Sequence, residues 1–271
     1  MGPVLLLLLV AIFLSLAMTG AWLAVSRGAK SGWVDATWSF AIGAAGIAAA
    51  LVPVEGWEGD WQRRIIVATA AGLWSLRLGL HIVSRTVNGG EDPRYAALKR
   101  EWGGQWRRQM LHFLQMQAAA ALLLACTIFL AARNPMPGLQ WSDLAGIVVL
   151  AIAVAGEGIA DAQLSRFKKR DANAGKICDA GLWGLSRHPN YFFQWLGWTG
   201  YALIGIGPYG DWAWGWAALV GPAFMYWLLV HVSGIPPLEE HMRRSRGEAY
   251  EAYARRVSAF WPFPKQREVS T

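Results

Sequence analysis

Residues 3–26 read PVLLLLLVAIFLSLAMTGAWLAVS, twenty-four residues without one charge. A helix needs about 20 apolar residues to cross the hydrocarbon core of a bilayer, so this stretch decides the fold class. Leu111–Ala132 is a second uninterrupted run of the same kind. Working outward from these two, five further apolar stretches reach spanning length, at 32–52, 64–84, 142–162, 190–207 and 212–232. Gly197, Gly200, Gly205 and Gly207 interrupt the 190–207 stretch. A spanning backbone must satisfy its own hydrogen bonds, so helices are the economical reading. No period-two pattern of barrel type runs through the sequence. The reading is an all-α, integral-membrane bundle of seven transmembrane helices in a single domain.

Composition agrees. Charged residues make up 16% of the 271-residue chain, against about 25% in soluble domains. An ordinary soluble domain and a disordered chain are both excluded. Two cysteines, one in an apolar run (Cys126) and one in a charged loop (Cys178), do not make a disulfide framework, and reduced thiols are expected. The first run lacks a basic start and is long enough to span, so it reads as a helix rather than a cleaved signal.

The basic residues then set the orientation. Taking the loops alternately, 21 of the 25 Lys and Arg fall on one side and three on the other, while Arg77 lies inside a span. By the positive-inside rule the N-terminus is outside and the C-terminus cytoplasmic. The net charge of +7 is thereby a membrane signature, and no nucleic-acid partner is expected. A multi-pass protein of a bacterial inner membrane is the expectation, bathed in lipid and with no obligate protein partner. The 17 tryptophans read mainly as aromatic belts at the two interfaces.

Ionisable residues within spans cost about 2.5–3.5 kcal/mol each on insertion scales and invite a functional reading. Arg77, His81 and Arg85 share one face of the third span at i, i+4, i+8. Glu157 and Asp161 are spaced i, i+4 near the cytoplasmic end of the fifth, and Asp35 begins the second. Any one alone reads equally well as an ion pair fixing helix packing. Together, at one depth, they favour a polar chamber open to the cytoplasm.

A second constellation is Gly181-Leu182-Trp183-Gly184-Leu185-Ser186-Arg187-His188-Pro189-Asn190-Tyr191, with Arg166, Lys168, Lys169 and Arg170 upstream. A Pro turn opens the sixth helix with Asn190 near its N-cap, and helix N-termini favour anions. The basic run suits a phosphorylated cofactor; taken alone it is a plain cytoplasmic loop. A third lies in the tail, where Glu239-Glu240 precede Gly247, Tyr250 and Tyr253 on a segment of helical composition over Glu239–Val257, stopped by Trp261-Pro262-Phe263-Pro264. Its acids could accept bonds from a ribose, or pair with arginines. The sequence contains no dinucleotide fingerprint, phosphate loop or nucleophile elbow, and no clustered Cys/His spacing for a metal.

The Ser186–Tyr191 string, the Gly-rich helix after it, a last span, and the Glu239-Glu240…Gly247…Tyr250…Tyr253…Pro262 tail together resemble the integral-membrane steroid 5-alpha-reductase-like superfamily. The resemblance covers about 155–265 and is thin before 75. Members reduce sterol double bonds with NADPH. Isoprenylcysteine carboxyl methyltransferases share the Arg-His-Pro-x-Tyr element and use S-adenosylmethionine. The resemblance implies a cofactor pocket in the C-terminal half (142–265), with helices 1–4 (1–132) on the substrate side. It implies that NADPH is bound by Arg85, Arg94, Asp161, Lys168, Asn190 and Tyr191, and the three constellations add Glu157, Arg187, Glu240 and Tyr253 as expected cofactor-binding residues. Gln194 stands where steroid reductases often hold Glu. One departure is plain: the residue after His81 is Ile82, where steroid reductases place a catalytic Tyr. The resemblance therefore leaves Asp35, His81 and Tyr95 as the catalytic candidates, and no metal is implied.

The expected activity is NADPH-dependent reduction of an activated C=C bond in a lipophilic, steroid-like or isoprenoid, substrate drawn from the bilayer. A methyltransferase acting on a lipid or prenyl group is the rival enzyme, and a non-catalytic lipid-binding protein the rival outside catalysis.

Overall fold

A computed structural model describes residues 1–263; Pro264, Lys265 and Arg267 lie outside the described residues. Ten α-helices follow in order among them: α1 (Pro3–Ser26), α2 (Gly32–Leu51), α3 (Trp61–Asn88), α4 (Pro93–Trp102), α5 (Trp106–Ala132), α6 (Trp141–Lys168), α7 (Pro189–Ile206), α8 (Ala213–Trp216), α9 (Val220–Trp227) and α10 (Ile235–Arg256). No strand occurs among the described residues, where the only β feature is an isolated bridge between Ser186 and Ser258.

Six helical stretches are long and apolar enough to cross a membrane: Pro3–Ser26, Gly32–Leu51, Trp61–Asn88, Pro93–Ala132, Trp141–Lys168 and Ala213–Arg256. The protein is thus a multi-pass, all-helical membrane protein. The expected 190–207 span forms as α7 but is not among the six. Its 18 residues give about 27 Å of length, and Asn190, Gln194 and three glycines dilute its apolar character.

Two compact units make up the chain. The first holds Met1–Ile147 and Gly200–Gly221; the second holds Val148–Thr199 and the chain from Pro222 onward. In the first unit α1 buries one stripe, Leu6, Val10, Leu14, Met18, Ala21 and Val25, in contact with α2 and α5. Its other face leaves Val4, Leu5, Leu8, Ile12 and Leu16 more than half exposed. A contiguous apolar face of this size is what lipid, rather than water, would cover. α2 packs very closely on α3 and α5. A Cβ at Gly43 would collide with the Ser75 side chain, and one at Gly46 would come within 2.7 Å of Ile128 Cδ1. Small residues at such crossings are how membrane helices gain contact area without a hydrophobic driving force.

Three departures from the sequence reading matter for the site. First, α3 begins at Trp61, three residues before the expected span, so that Arg63 and Arg64 lie in its first turn. Second, an unforeseen helix, α4, sits between the third and fourth spans. Asp92 caps it by accepting from Arg94 N at 2.9 Å, and Pro93 occupies its first position, an arrangement that suits a residue lacking an N–H. Third, the last span is broken: α8 and α9 are followed by a π turn at Leu228–Val232, and α10 kinks at Gly247, whose φ of 50° favours glycine.

Candidate functional site

The first unit carries a half-exposed polar cluster. α2 presents Asp35 from its first turn. Arg94 Nη2 donates to Asp35 Oδ2 at 2.5 Å, and Tyr95 Oη donates to Asp35 Oδ1 at 2.7 Å. Both donors come from the first turn of α4. Arg94 also donates from Nε and Nη2 to Asp92, at 3.1 and 2.9 Å. Arg85, from the end of α3, reaches Asp92 at 3.4 Å and Asp35 at 4.0 Å. Burial raises the Asp92 pKa, but the Arg94 guanidinium and N–H outweigh it and hold the carboxyl below its usual range. From α5, Gln117 Nε2 donates to Tyr95 Oη at 3.4 Å. Tyr95 is buried, whereas the Asp35 and Arg94 side chains are 19% and 40% exposed. The cluster is braced from beside. Lys30 Nζ donates to the carbonyls of Thr86, Val87 and Gly89, and Glu91 accepts from Ser31 and from Lys99.

The same unit holds a second polar assembly, and it is closed. Arg63, 1% exposed, places all five guanidinium donors. Nε and Nη2 bond Asp143 at 2.7 and 2.8 Å, and the remaining N–H groups reach the carbonyls of Asn134, Met136 and Gly138. Arg133 donates from both Nη atoms to the carbonyls of Ala49, Val52, Trp57 and Glu58. Burial, with Arg64 nearby, pushes its pKa down to about 10. A cavity of about 580 Å³ lies here, walled by Trp57, Trp212 and Trp214, but Asp60 and Arg133 in its lining are already engaged with backbone. These groups clamp loops.

In the second unit α6 and α7 run antiparallel. Asp161 accepts from Asn190 Nδ2 at 3.3 Å, and a Cβ at Gly156 would collide with Phe193. Glu157 and Gln194, both buried, sit one turn further along the same two faces. Two acids and two amides therefore line the crossing of α6 and α7. Arg166, Lys168, Lys169 and Arg170 are exposed at the end of α6. Asn190 is the second residue of α7 rather than its cap.

Further polar groups of the second unit hold the tail. Arg187 bonds Glu239 at 2.6 and 2.8 Å and donates to the carbonyls of Ala254 and Val257. His188 approaches Glu239 at 3.3 Å; burial lowers its pKa despite the opposing pull of that carboxylate. Ser186 Oγ donates to Phe260 O at 2.9 Å, and Tyr253 Oη to Trp183 O at 2.6 Å.

The sequence-predicted residues are thus distributed as follows. Asp35, Arg94, Tyr95 and Arg85 come together. His81 is exposed on α3, and Ile82 beside it is buried. Asp161 and Asn190 meet, with Glu157 on the same helix face. Tyr191 stacks on His188, ring centroids 5.5 Å apart. Lys168 is exposed, and Glu240, also exposed, pairs with Arg244. Arg187 and Tyr253 turn inward, their polar atoms bonded within the protein. Sequence reasoning missed Gln117, Asp92 and the whole Arg63–Asp143 assembly. Only Asp92 carried a local signal, the Asp-Pro helix start.

The fold and its polar clusters define a multi-pass, all-helical membrane protein with charged groups set between its helices. The chain belongs to the family described as Protein of unknown function (DUF1295), whose model matches residues 21–257. Comparison with curated proteins and with solved structures gives no match.

Proposed function

We propose that this protein is an NADPH-dependent reductase of an activated C=C bond in a lipophilic, steroid-like or isoprenoid, substrate, in keeping with its resemblance to the steroid 5-alpha-reductase-like superfamily. In this reading α7 completes seven spans, the N-terminus faces outward, the tail is cytoplasmic, and the host membrane is a bacterial plasma membrane. The observation that carries it is the α6–α7 crossing, where Asp161 meets Asn190 and Glu157 and Gln194 are buried alongside. Buried acids and amides in a membrane protein mark functional sites by default.

The donor set fits the cofactor. Glu157 and Asp161 can accept bonds from ribose hydroxyls, the Asn190 and Gln194 amides suit a carboxamide, and Lys168 with its basic neighbours suits phosphate. Arg187 and Tyr253 would act one step removed, by holding the tail. When bound, the nicotinamide supplies the hydride. The protein orients it, excludes water and holds a proton for the substrate. Buried Ile82 offers no proton, so that task falls to Tyr95, whose hydroxyl is positioned by Asp35 and Gln117. His81 stays an alternative donor.

The test is ligand-induced stabilisation of the purified, detergent-solubilised chain. NADPH raises the melting temperature and S-adenosylmethionine does not. The reverse pattern establishes the methyltransferase reading instead, and no response to either leaves a lipid-binding protein.

A further inference from the structure

Two glutamines on α5 stand two residues apart and fare differently. Gln115 is fully occupied: its Oε1 accepts from Ser15 Oγ at 2.7 Å, and its Nε2 donates to Thr19 Oγ1 at 3.1 Å. Gln117 is not. Its Nε2 donates to Tyr95 Oη, while its Oε1 is buried without a partner. The orientation of this amide follows from its neighbours. The Tyr95 proton is engaged by the Asp35 carboxylate at 2.7 Å, so the Gln117 atom facing Tyr95 Oη must be the donor. Its carbonyl therefore points elsewhere, and a buried acceptor demands a donor. Another such atom of the first unit, Arg133 Nε, belongs to a guanidinium that lies over the Phe129 ring and has four other bonds.

The surroundings say what kind of donor. Trp38 Nε1 donates to the Gln117 backbone carbonyl at 3.0 Å. Phe113, one turn earlier on α5, packs edge-on against Tyr95 at 6.2 Å. Met116, beside Gln117, is 63% exposed on the flank of a span. The side chains around this amide are thus largely aromatic, and the residue next to it in sequence is exposed.

We propose that the Gln117 side-chain carbonyl is the acceptor for the hydroxyl of a lipophilic alcohol, so that the ligand of the first unit carries one O–H donor on an apolar body. This deepens the substrate half of the reductase reading and rests on it for the location of the lipid. It makes Gln117 a specificity-determining residue.

The experiment measures binding of two alcohol–ether pairs, farnesol with its methyl ether and cholesterol with its methyl ether. The purified full chain is reconstituted in nanodiscs, and quenching of intrinsic tryptophan fluorescence is the readout. For at least one skeleton the alcohol binds about three- to tenfold more tightly than the ether, the range a single hydrogen bond supplies. In Gln117→Leu that ratio falls to about one, and in Gln117→Asn it stays below the wild-type ratio. Equal binding of alcohol and ether on both skeletons, including no binding of any probe, overturns the proposal. So does a preference that survives in Gln117→Leu. The wild-type ratio needs no variant and remains decisive should Gln117→Leu fail to fold. NADPH binding is measured on the same samples. Intact NADPH binding without hydroxyl preference defeats this inference alone; hydroxyl preference without NADPH binding defeats the reductase reading alone.

Discussion

Arg63 with Asp143 and Arg94 with Asp35 are both guanidinium–carboxylate pairs of the first unit, and each joins residues about sixty to eighty positions apart. The first pair is 1% and 2% exposed, and every donor on Arg63 is used. The second is 40% and 19% exposed, and it adjoins a tyrosine hydroxyl and an amide with an orphaned carbonyl. Removing a charge from water is repaid only when the geometry satisfies it throughout. The closed pair meets that condition by itself and reads as architecture. The open one keeps access and unfilled bonding capacity, as a site that handles a ligand must.

One substitution in each cluster gives the largest contrasts. Asp143→Ala strands a buried guanidinium, and about 3–5 kcal/mol of stability is lost, read as a collapse of the melting temperature or of expression as a folded chain. Tyr95→Phe removes one hydroxyl from the open cluster. It lowers turnover, followed as NADPH oxidation with a conjugated enone, by about 10²-fold, while thermal stability shifts by no more than about 1.5 kcal/mol. A Tyr95→Phe protein that keeps wild-type turnover would return the proton-donor role to His81. A smaller effect comes from the α4 cap. Asp92→Ala costs about 1 kcal/mol at neutral pH. The folded-state pKa of Asp92 is lowered, so its contribution is present above the unfolded value of about 3.9 and is lost as pH falls below it. The gap between wild type and Asp92→Ala therefore closes below about pH 4. A gap that persists there would mean the Asp92 charge does not stabilise the cap.

The difference between the two pairs was only partly legible in the sequence. Spans announce themselves through uninterrupted apolar runs, so Pro3–Ser26 and the helical core of 111–132 were readable directly. Asp35 and Arg85 stand out because charges at membrane depth are costly, and Arg94 only through the family resemblance. Arg63 and Asp143 did not, because each sits at a helix start where a charge looks ordinary, and nothing local links positions 80 residues apart. Arg187 is the reverse case. Its place in a basic loop suggests phosphate, yet a buried glutamate and two carbonyls from the tail occupy it. Gln117 could not be singled out at all, since an amide flanked by alanines and Met116 looks the same whether its carbonyl is paired or orphaned.

The proposal that the α6–α7 crossing holds the dinucleotide is tested by the NADPH dissociation constant of the purified wild type beside those of Asn190→Ala and Lys168→Ala. Both variants are expected to stay folded and to bind NADPH about tenfold more weakly, a loss of about 1.4 kcal/mol. Wild-type affinity in both would contradict it and move the cofactor away from this pair of helices.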